Sequence, residues 1–303
     1  MIAQATNEFT GAFSVKEDSG KKAKAFWRKI GKNKLLLVSS IFCIALILAV
    51  ILAPLITSFN PNEVDLTQRL LSPGEKGHFL GTDGFGRDLF ARILYGGRTS
   101  LGLSVCIVVV NATIGLIVGT TAAFLGGVVD GIIMRIVDIL MAFPNVILSL
   151  FIVGVFGAST FNLFISLIIL GWIGYARMSR SLVLSLKEQV FIQSSRTLGC
   201  SKARIIFTHL IPNVLPTILI YGAMHIGSAI LSISSISFLG LGVQPPTAEW
   251  GSMLSDAKQY VSLYPHMIIF PGIAIASSVL IFNIMGDGVR EFADPHAKKI
   301  IKT

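Results

Sequence analysis

Charge is scarce in this chain. Only 14% of its 303 residues are Asp, Glu, Lys or Arg, where soluble domains carry about a quarter. Acid is scarcer than base: 16 Asp and Glu stand against 25 Lys and Arg. By the span boundaries given below, no Asp or Glu falls mid-span, which argues against a self-contained secondary transporter, whose ion coupling usually needs a carboxylate or broken helices near the membrane midplane. Cysteine is limited to Cys43, Cys106 and Cys200, in or beside apolar segments and without paired spacing. They read as small hydrophobes, neither a disulfide framework nor a metal site. The five histidines, His78, His209, His225, His266 and His296, are scattered with no metal-ligand spacing. A lone histidine on a helical span, such as His225, reads as a satisfied polar contact. His-Glu-x-x-His, Gly-x-Ser-x-Gly and an intramembrane Asp pair are all missing, which removes the common intramembrane enzymes. Walker A is missing too, so the chain has no means of hydrolysing ATP itself.

What fills the space is apolar. Mean hydropathy is +0.75 and 53% of residues are hydrophobic. A bilayer-crossing helix needs about 20 apolar residues. The first run, 35–57, is broken only by small or weakly polar residues and Pro54, and at ~1.5 Å per residue it reaches ~34 Å. It is too long, and its basic leader too extended, for a cleavable signal peptide. Six spans are expected, at 35–57, 100–124, 132–156, 161–179, 213–238 and 264–287, giving an all-α polytopic membrane protein. Asp138 and Pro144 stand out in the third. Pro144 predicts a kink. Asp138, three residues after Arg135 and near one end of the span, predicts a structural ion pair.

Basic residues orient the chain. Eight lie in the tail 1–34, six from Arg177 to Arg204, and four from Arg290 onward, together 18 of 25. With an even number of spans these regions share one side, which the positive-inside rule makes the cytoplasm. The chain then divides into a cytoplasmic tail 1–34, a first span 35–57, an outer loop 58–99, a membrane domain 100–287 carrying an inner loop 180–212, and a cytoplasmic tail 288–303, with 243–262 also outside. The net charge of +9 is then an orientation signal plus attraction to anionic lipid, and calls for no nucleic acid. The stretch Lys21-Lys22-Ala23-Lys24-Ala25-Phe26-Trp27-Arg28-Lys29 reads either as a basic segment on the inner leaflet or as a plain tail.

The string Gly81-Thr82-Asp83-Gly84-Phe85-Gly86-Arg87-Asp88 resembles a phosphate loop at first sight. It lacks the Lys-Ser/Thr of a P-loop, no strand precedes it, and by the topology above it faces away from ATP. Its glycines permit turns, and Thr82 or Asp83 can cap a following turn. Leu89, Phe90, Ile93 and Leu94 alternate with Asp88, Arg92 and Arg98, which predicts a short amphipathic helix at the outer interface, leading into the second span.

On the basic side, a helix is expected to run to Leu198, with Gly199 as its left-handed cap and Ser201 capping a second helix toward Pro212. Helix, sharp turn and helix on this spacing fit a DNA-reading element or an ordinary solvated loop. Spans hold both ends near the bilayer, which disfavours the first. The fifth span, with "GSAILSISSISFLGLG" at 227–242, is dense in Gly, Ser and Ala, and Ser228, Ser232 and Ser235 share one face. That face serves either close helix packing or a translocation path.

Four strings carry a family resemblance: "LGTDGFGRDLFARILYGGRTSL" (80–101), "DILMAFPNVIL" (138–148), "SISFLGLGVQPPTAEWGSML" (235–254) and "NIMGDGVREFADP" (283–295). In this order they resemble one permease subunit of dipeptide, oligopeptide and nickel ABC importers, over about residues 30–296. The resemblance implies the type I importer permease fold. It implies that the inner loop is the coupling motif, Glu-Ala-Ala, three residues, Gly, nine residues, Ile, one residue, Leu-Pro. Gly199 and Pro212 match at that separation, while Gln193, Ser194, Ser195, His209 and Ile211 replace the motif's Glu, Ala, Ala, Ile and Leu. It further implies a homologous second permease, two cytoplasmic ATPase subunits that carry ATP and Mg, an extracytoplasmic substrate-binding protein, and no cofactor on this chain. The outer motif, Gly81, Thr82, Asp83, Gly86, Arg87 and Asp88, is expected to be structural, seating the binding protein or the second permease. Peptide, nickel chelate and glutathione are not separated by these residues; the peptide is the expectation.

Overall fold

The computed structural model describes residues 34–293. The basic stretch at 21–29 and most of the C-terminal tail lie outside the described residues. Within them the chain is helical, as a backbone in hydrocarbon must be to satisfy its own N–H and C=O groups, and strand-like pairing is confined to one bridge between Thr82 and Asp88.

Helix α1 spans Lys34–Ile51 and is shorter than the expected 35–57. Pro54, lacking an N–H, interrupts it after Ile51, and only a single turn, Ala53–Ile56, follows. The carbonyls of Val50 and Ile51, which Pro54 and the break leave free, accept instead from Arg98, at 2.8 and 2.6 Å.

Helix α2, Leu89–Leu125, runs unbroken for 37 residues, about 55 Å. This corrects the expected interfacial helix. The amphipathic stretch after Arg87 is the first turns of α2 itself, and its charged face is not toward water: Arg92 is 2% exposed. Asp88 caps α2, accepting from the Ala91 N–H at 2.6 Å.

The expected third span is two helices, α3 (Gly127–Met141) and α4 (Asn145–Phe156), bent by 83°. Pro144 does more than kink: it cannot donate to Leu140, and it disfavours helical geometry at Phe143. Helix α5 covers Thr160–Leu186, capped by Ser159. Asp138 pairs with Arg177 of α5, rather than with the expected Arg135, which lies one turn away on its own helix. Asp130 pairs with Arg180 through two bonds of 2.7 Å. Together these two acids pin α3 across α5.

Helix α6 is Val190–Thr197. Helix α7 runs from Lys202 to Phe238, through a wider π turn at Ile206–Leu210. Pro212 leaves Thr208 without an α-type donor, and the side-chain amide of Asn213 donates to His209 O at 2.6 Å. Helix α8, Trp250–Ala257, lies at the end of the bundle that the charge asymmetry leads one to expect outside, hereafter the outer end, with the inner end opposite, and α9 covers His266–Ala293. Among the described residues four helices, α2, α5, α7 and α9, are long and apolar enough to cross a membrane; the bent pair raises this to five, and α1 is a shorter apolar helix. The six spans expected are therefore all helical segments, but not all are single crossing helices.

Helices α2 and α5 form the closest pair. Gly115 and Gly119, a Gly-x-x-x-Gly spacing, let them approach until a Cβ on Gly119 would sit 2.2 Å from the Ala176 carbonyl oxygen. Two apolar cores flank the bundle. The outer one gathers Leu89, Trp250, Met253 and Met267; the inner one gathers Phe124, Ile192, Ile205 and Leu210.

Candidate functional site

At the outer end, Asp83 is the hub. Its carboxylate accepts from the Phe85 and Arg87 N–H groups at 2.8 and 3.0 Å and from Arg87 Nε at 2.6 Å. Arg92 Nε stands 3.5 Å away. Arg87 also reaches Asp256 at 2.9 Å, and Arg92 donates to Pro61 O at 2.9 Å. Asp83, Arg87 and Arg92 are all buried. The Asp83 and Gly86 N–H groups are bonded to Arg87 O and Asp83 O at 2.9 and 3.0 Å. The amides that a phosphate loop would offer at 83, 85, 86 and 87 are thus already used.

The segment around this hub is equally closed. Thr82 Oγ1 donates to Gln68 O and accepts from the Leu71 N–H at 2.9 Å. His78 lies between Asp88 at 2.8 Å and Gln68 Oε1 at 2.9 Å. Gly81 and Gly86 have φ of +82° and +77°. A Cβ on Gly86 would stand 1.8 Å from Asp65 O. The Asp65 carboxyl is held below the usual carboxylate range by hydrogen bonds from Thr67 and Gln68.

At the inner end, α6 closes with a complete Schellman cap. The Gly199 N–H donates to Arg196 O at 3.0 Å and the Cys200 N–H to Ser195 O at 3.1 Å, with Gly199 at φ +76°. Ser201 then opens α7, accepting from the Arg204 N–H at 3.3 Å. Ile192 and Leu210 anchor the element in the inner core, and Arg196 lies over the Phe124 ring at the end of α2, 4.6 Å from its centroid. The opposite face is open: Gln193, Ser194, Gly199 and Pro212 are exposed, while Ser195, His209 and Ile211 are half-buried. Apolar residues join this face, Val190 at 78% and Leu198 at 83% exposure.

Between the two ends, a cavity of about 500 Å³ is lined by α2, α5, α7 and the α3–α4 break. Of the three serines that share a face of α7, only Ser232 lines it; Ser228 and Ser235 are exposed on the outside of the chain. The lining instead brings together Asn111, Tyr175, Tyr221 and His225. Sequence reasoning missed the first three. It read His225 as a satisfied polar contact, and its Nδ1 does donate to the Tyr221 carbonyl at 2.7 Å. A signal was present: Tyr221, His225 and Ser232 recur at helical spacing, with Ala229 between them, on the stripe of α7 that lines the cavity.

Residues 111–299 match the family model for the binding-protein-dependent transport system inner membrane component, and residues 23–73 match that for the N-terminal TM domain of oligopeptide transport permease C. The nickel transport system permease protein NikC of Escherichia coli K12 is 43% identical over 238 residues, 78% of this chain and 86% of that one. The dipeptide transport system permease protein DppC of Alkalihalophilus pseudofirmus is 40% identical, covering 90% of this chain and 89% of its own. The glutathione transport system permease protein GsiD of E. coli O6:K15:H31 is 38% identical, with 90% of each covered. Among solved structures, a chain of the MetNI methionine ABC transporter aligns with TM-score 0.49 and 16% identity, over 65% of this chain and 95% of that one. By the match of its membrane domain and by these relatives, the chain belongs to the inner-membrane permease family of binding-protein-dependent ABC importers, the group that includes the dipeptide, oligopeptide and nickel permeases.

Proposed function

We propose that this chain is one of two permease subunits of a peptide importer driven by separate ATPase subunits. The observation that carries the reading is the inner element. A rigidly capped helix-turn-helix is anchored in the core on one face and presents Val190, Leu198, Gln193 and Ser194 on the other. Exposed apolar side chains on a fixed scaffold are what a docking surface needs. We read this face as the contact with a cytoplasmic ATPase, with Gly199 setting the angle between α6 and α7. The exposed Ser228 and Ser235 then face the second permease, and the outer Asp83 network supports the surface on which the binding protein or that permease sits.

The relatives NikC, DppC and GsiD carry nickel, dipeptide and glutathione in their names at similar identities. The absence of a cluster of three or more His, Cys, Asp or Glu among the described residues supports a peptide over a bare metal ion. The test is uptake. Cells expressing the whole transporter are given labelled trialanine, glutathione and Ni²⁺ in parallel. Uptake of trialanine that requires this chain supports the reading; uptake of Ni²⁺ alone replaces it.

Six crossings with both termini cytoplasmic complete the proposal, α1 and the bent pair each counting once. Single cysteines at Lys76 and Lys258 should react with an impermeant reagent in intact cells. Protection at both would overturn this topology.

A further inference from the structure

Chain connectivity joins α6 to α5 and α7, through residues 187–189 and 198–201. Its side chains join it to a third helix, α2. Ile192 is fully buried and shares the inner core with Leu116, Ala123 and Phe124 of α2. Arg196 stands one turn further along the same face of α6, and its guanidinium lies over the Phe124 ring, 4.6 Å from the centroid. Two arginines of α5, Arg177 and Arg180, pair with Asp138 and Asp130. Arg196 makes no such ion pair among the described residues. The rest of its surface is exposed.

Phe124 is the penultimate residue of α2 and is buried. An aromatic face attracts a cation. The last turn of a helix, where the carbonyls carry the negative end of the dipole, favours one as well. Both terms hold the Arg196 charge at this spot. From Phe124, α2 runs unbroken back to its Asp88 cap, and Arg92 in its first turn stands 3.5 Å from Asp83. Coupling over such a distance travels through packed side chains and rigid elements. A push on α6 that reaches Phe124 therefore moves a helix of 37 residues whose far end lies in the outer network.

We propose that Arg196 is a positioning residue: through the Phe124 ring it fixes α6 to the inner end of α2, so that movement of the ATPase against α6 is delivered to α2. The proposal rests on the reading of the inner face as the ATPase contact, and deepens it by naming the helix that receives the movement. In the rival role Arg196 grips the ATPase directly with its exposed surface, and Phe124 is an ordinary core residue.

The experiment uses the complete transporter, held in lipid nanodiscs and supplied with its binding protein. It reads the ratio of stimulated to basal ATP hydrolysis, and the ATPase subunits retained per permease. Arg196→Gln, Phe124→Leu, the double variant and Arg196→Lys are compared with the parent. A cation–π contact at an exposed site corresponds to about a two- to fivefold change in an equilibrium. Arg196→Gln and Phe124→Leu should each lower the ratio by about that factor, with the ATPase subunits still retained. The double variant should lower it no further than the worse of the two, because one shared contact is lost only once. Arg196→Lys keeps a cation without the planar group and should fall between parent and Arg196→Gln. Losses that multiply in the double variant, loss of ATPase subunits in Arg196→Gln, or a normal ratio in Arg196→Gln would each overturn the joint. If Phe124→Leu does not assemble, Phe124→Met, whose flexible side chain fills core space, takes its place. A normal ratio in the Arg196 variants beside collapsed stimulation in Gly199→Val removes only this inference; normal ratios in all of them remove the ATPase-contact reading as well.

Discussion

The outer and inner ends of this bundle solve opposite problems with similar parts. Each has a glycine at positive φ, a short helix and arginines. At the outer end Asp83, Arg87 and Arg92 are paired within the chain and buried, Arg92 to 2% exposure. At the inner end the backbone is equally well capped, but Leu198 and Val190 stand 83% and 78% exposed. A buried ionic network is costly unless its members are matched, and here Asp83, Asp256 and the Pro61 carbonyl supply partners from within the chain. Exposed apolar side chains on a stiff cap are unfinished in the lone chain. The outer end holds itself together, whereas the inner end, on the function proposed above, is the surface left for a partner. Damage to the first should therefore appear as lost protein, and damage to the second as lost coupling.

The most severe way to test this contrast is Gly86→Val. The new Cβ would stand 1.8 Å from the Asp65 carbonyl oxygen, on backbone at φ +77°. Neither atom can yield without moving the loop, so the cost should exceed about 4 kcal/mol, the range reserved for gross strain. The chain should fail to accumulate in the membrane. Normal abundance with a normal melting temperature in detergent would show that the outer loop is softer than described.

Asp83→Ala is the next step down. It leaves Arg87 and Arg92 buried, with Asp256 the remaining acid partner of Arg87. Breaking one side of a buried ionic set costs about 3–5 kcal/mol. Thermal unfolding of the detergent-solubilised chain should shift down strongly, while any protein that does assemble should retain ATPase stimulation. Loss of stimulation without loss of stability would mean that the outer network signals rather than supports.

How much of this was legible beforehand follows sequence distance. The inner cap was readable because Leu198, Gly199 and Ser201 are neighbours, and their turn chemistry is local. The apolar segments were readable by length and composition. Partners far apart were not: Arg87 meets Asp256 across 169 residues, Asp138 chose Arg177 over the nearby Arg135, and Arg98 caps carbonyls 48 and 47 residues away. The cavity needs four elements to exist, so the polar stripe Tyr221, His225 and Ser232 on α7 could announce only one of its walls. Proline was visible both times, yet its result depended on surroundings. Pro54 shortened α1, while Pro144 turned the chain by 83° where Met141, Phe143, Pro144 and Asn145 line the cavity.

The smallest expected change in stability belongs to Gly199, where the contrast is sharpest. Nothing lies within 4 Å of a Cβ built there, so a side chain meets no wall. The cost comes from φ +76° alone, and for a β-branched residue it is on the order of 1–2 kcal/mol. Gly199→Val should therefore accumulate, insert and pair with its second permease, with a melting temperature only slightly lowered. Relief of the strain must nevertheless rotate the backbone at 199, and the two Schellman bonds at Gly199 and Cys200 fix how α6 meets α7. Val190 and Leu198 would then be presented at a different angle from the anchored Ile192 and Leu210. Coupling between subunits is worth about 1–3 kcal/mol in typical cases, so losing it should cut binding-protein-stimulated ATP hydrolysis and uptake by about tenfold or more. Gly199→Asn, which tolerates the left-handed region better, should fall between the two. The complex reconstituted in lipid reports subunit stoichiometry, basal hydrolysis and stimulated hydrolysis side by side. Intact stoichiometry with collapsed stimulation is the expected pattern, whereas normal stimulation with normal uptake in Gly199→Val would remove the inner element from the coupling path and leave its exposed apolar face without a role.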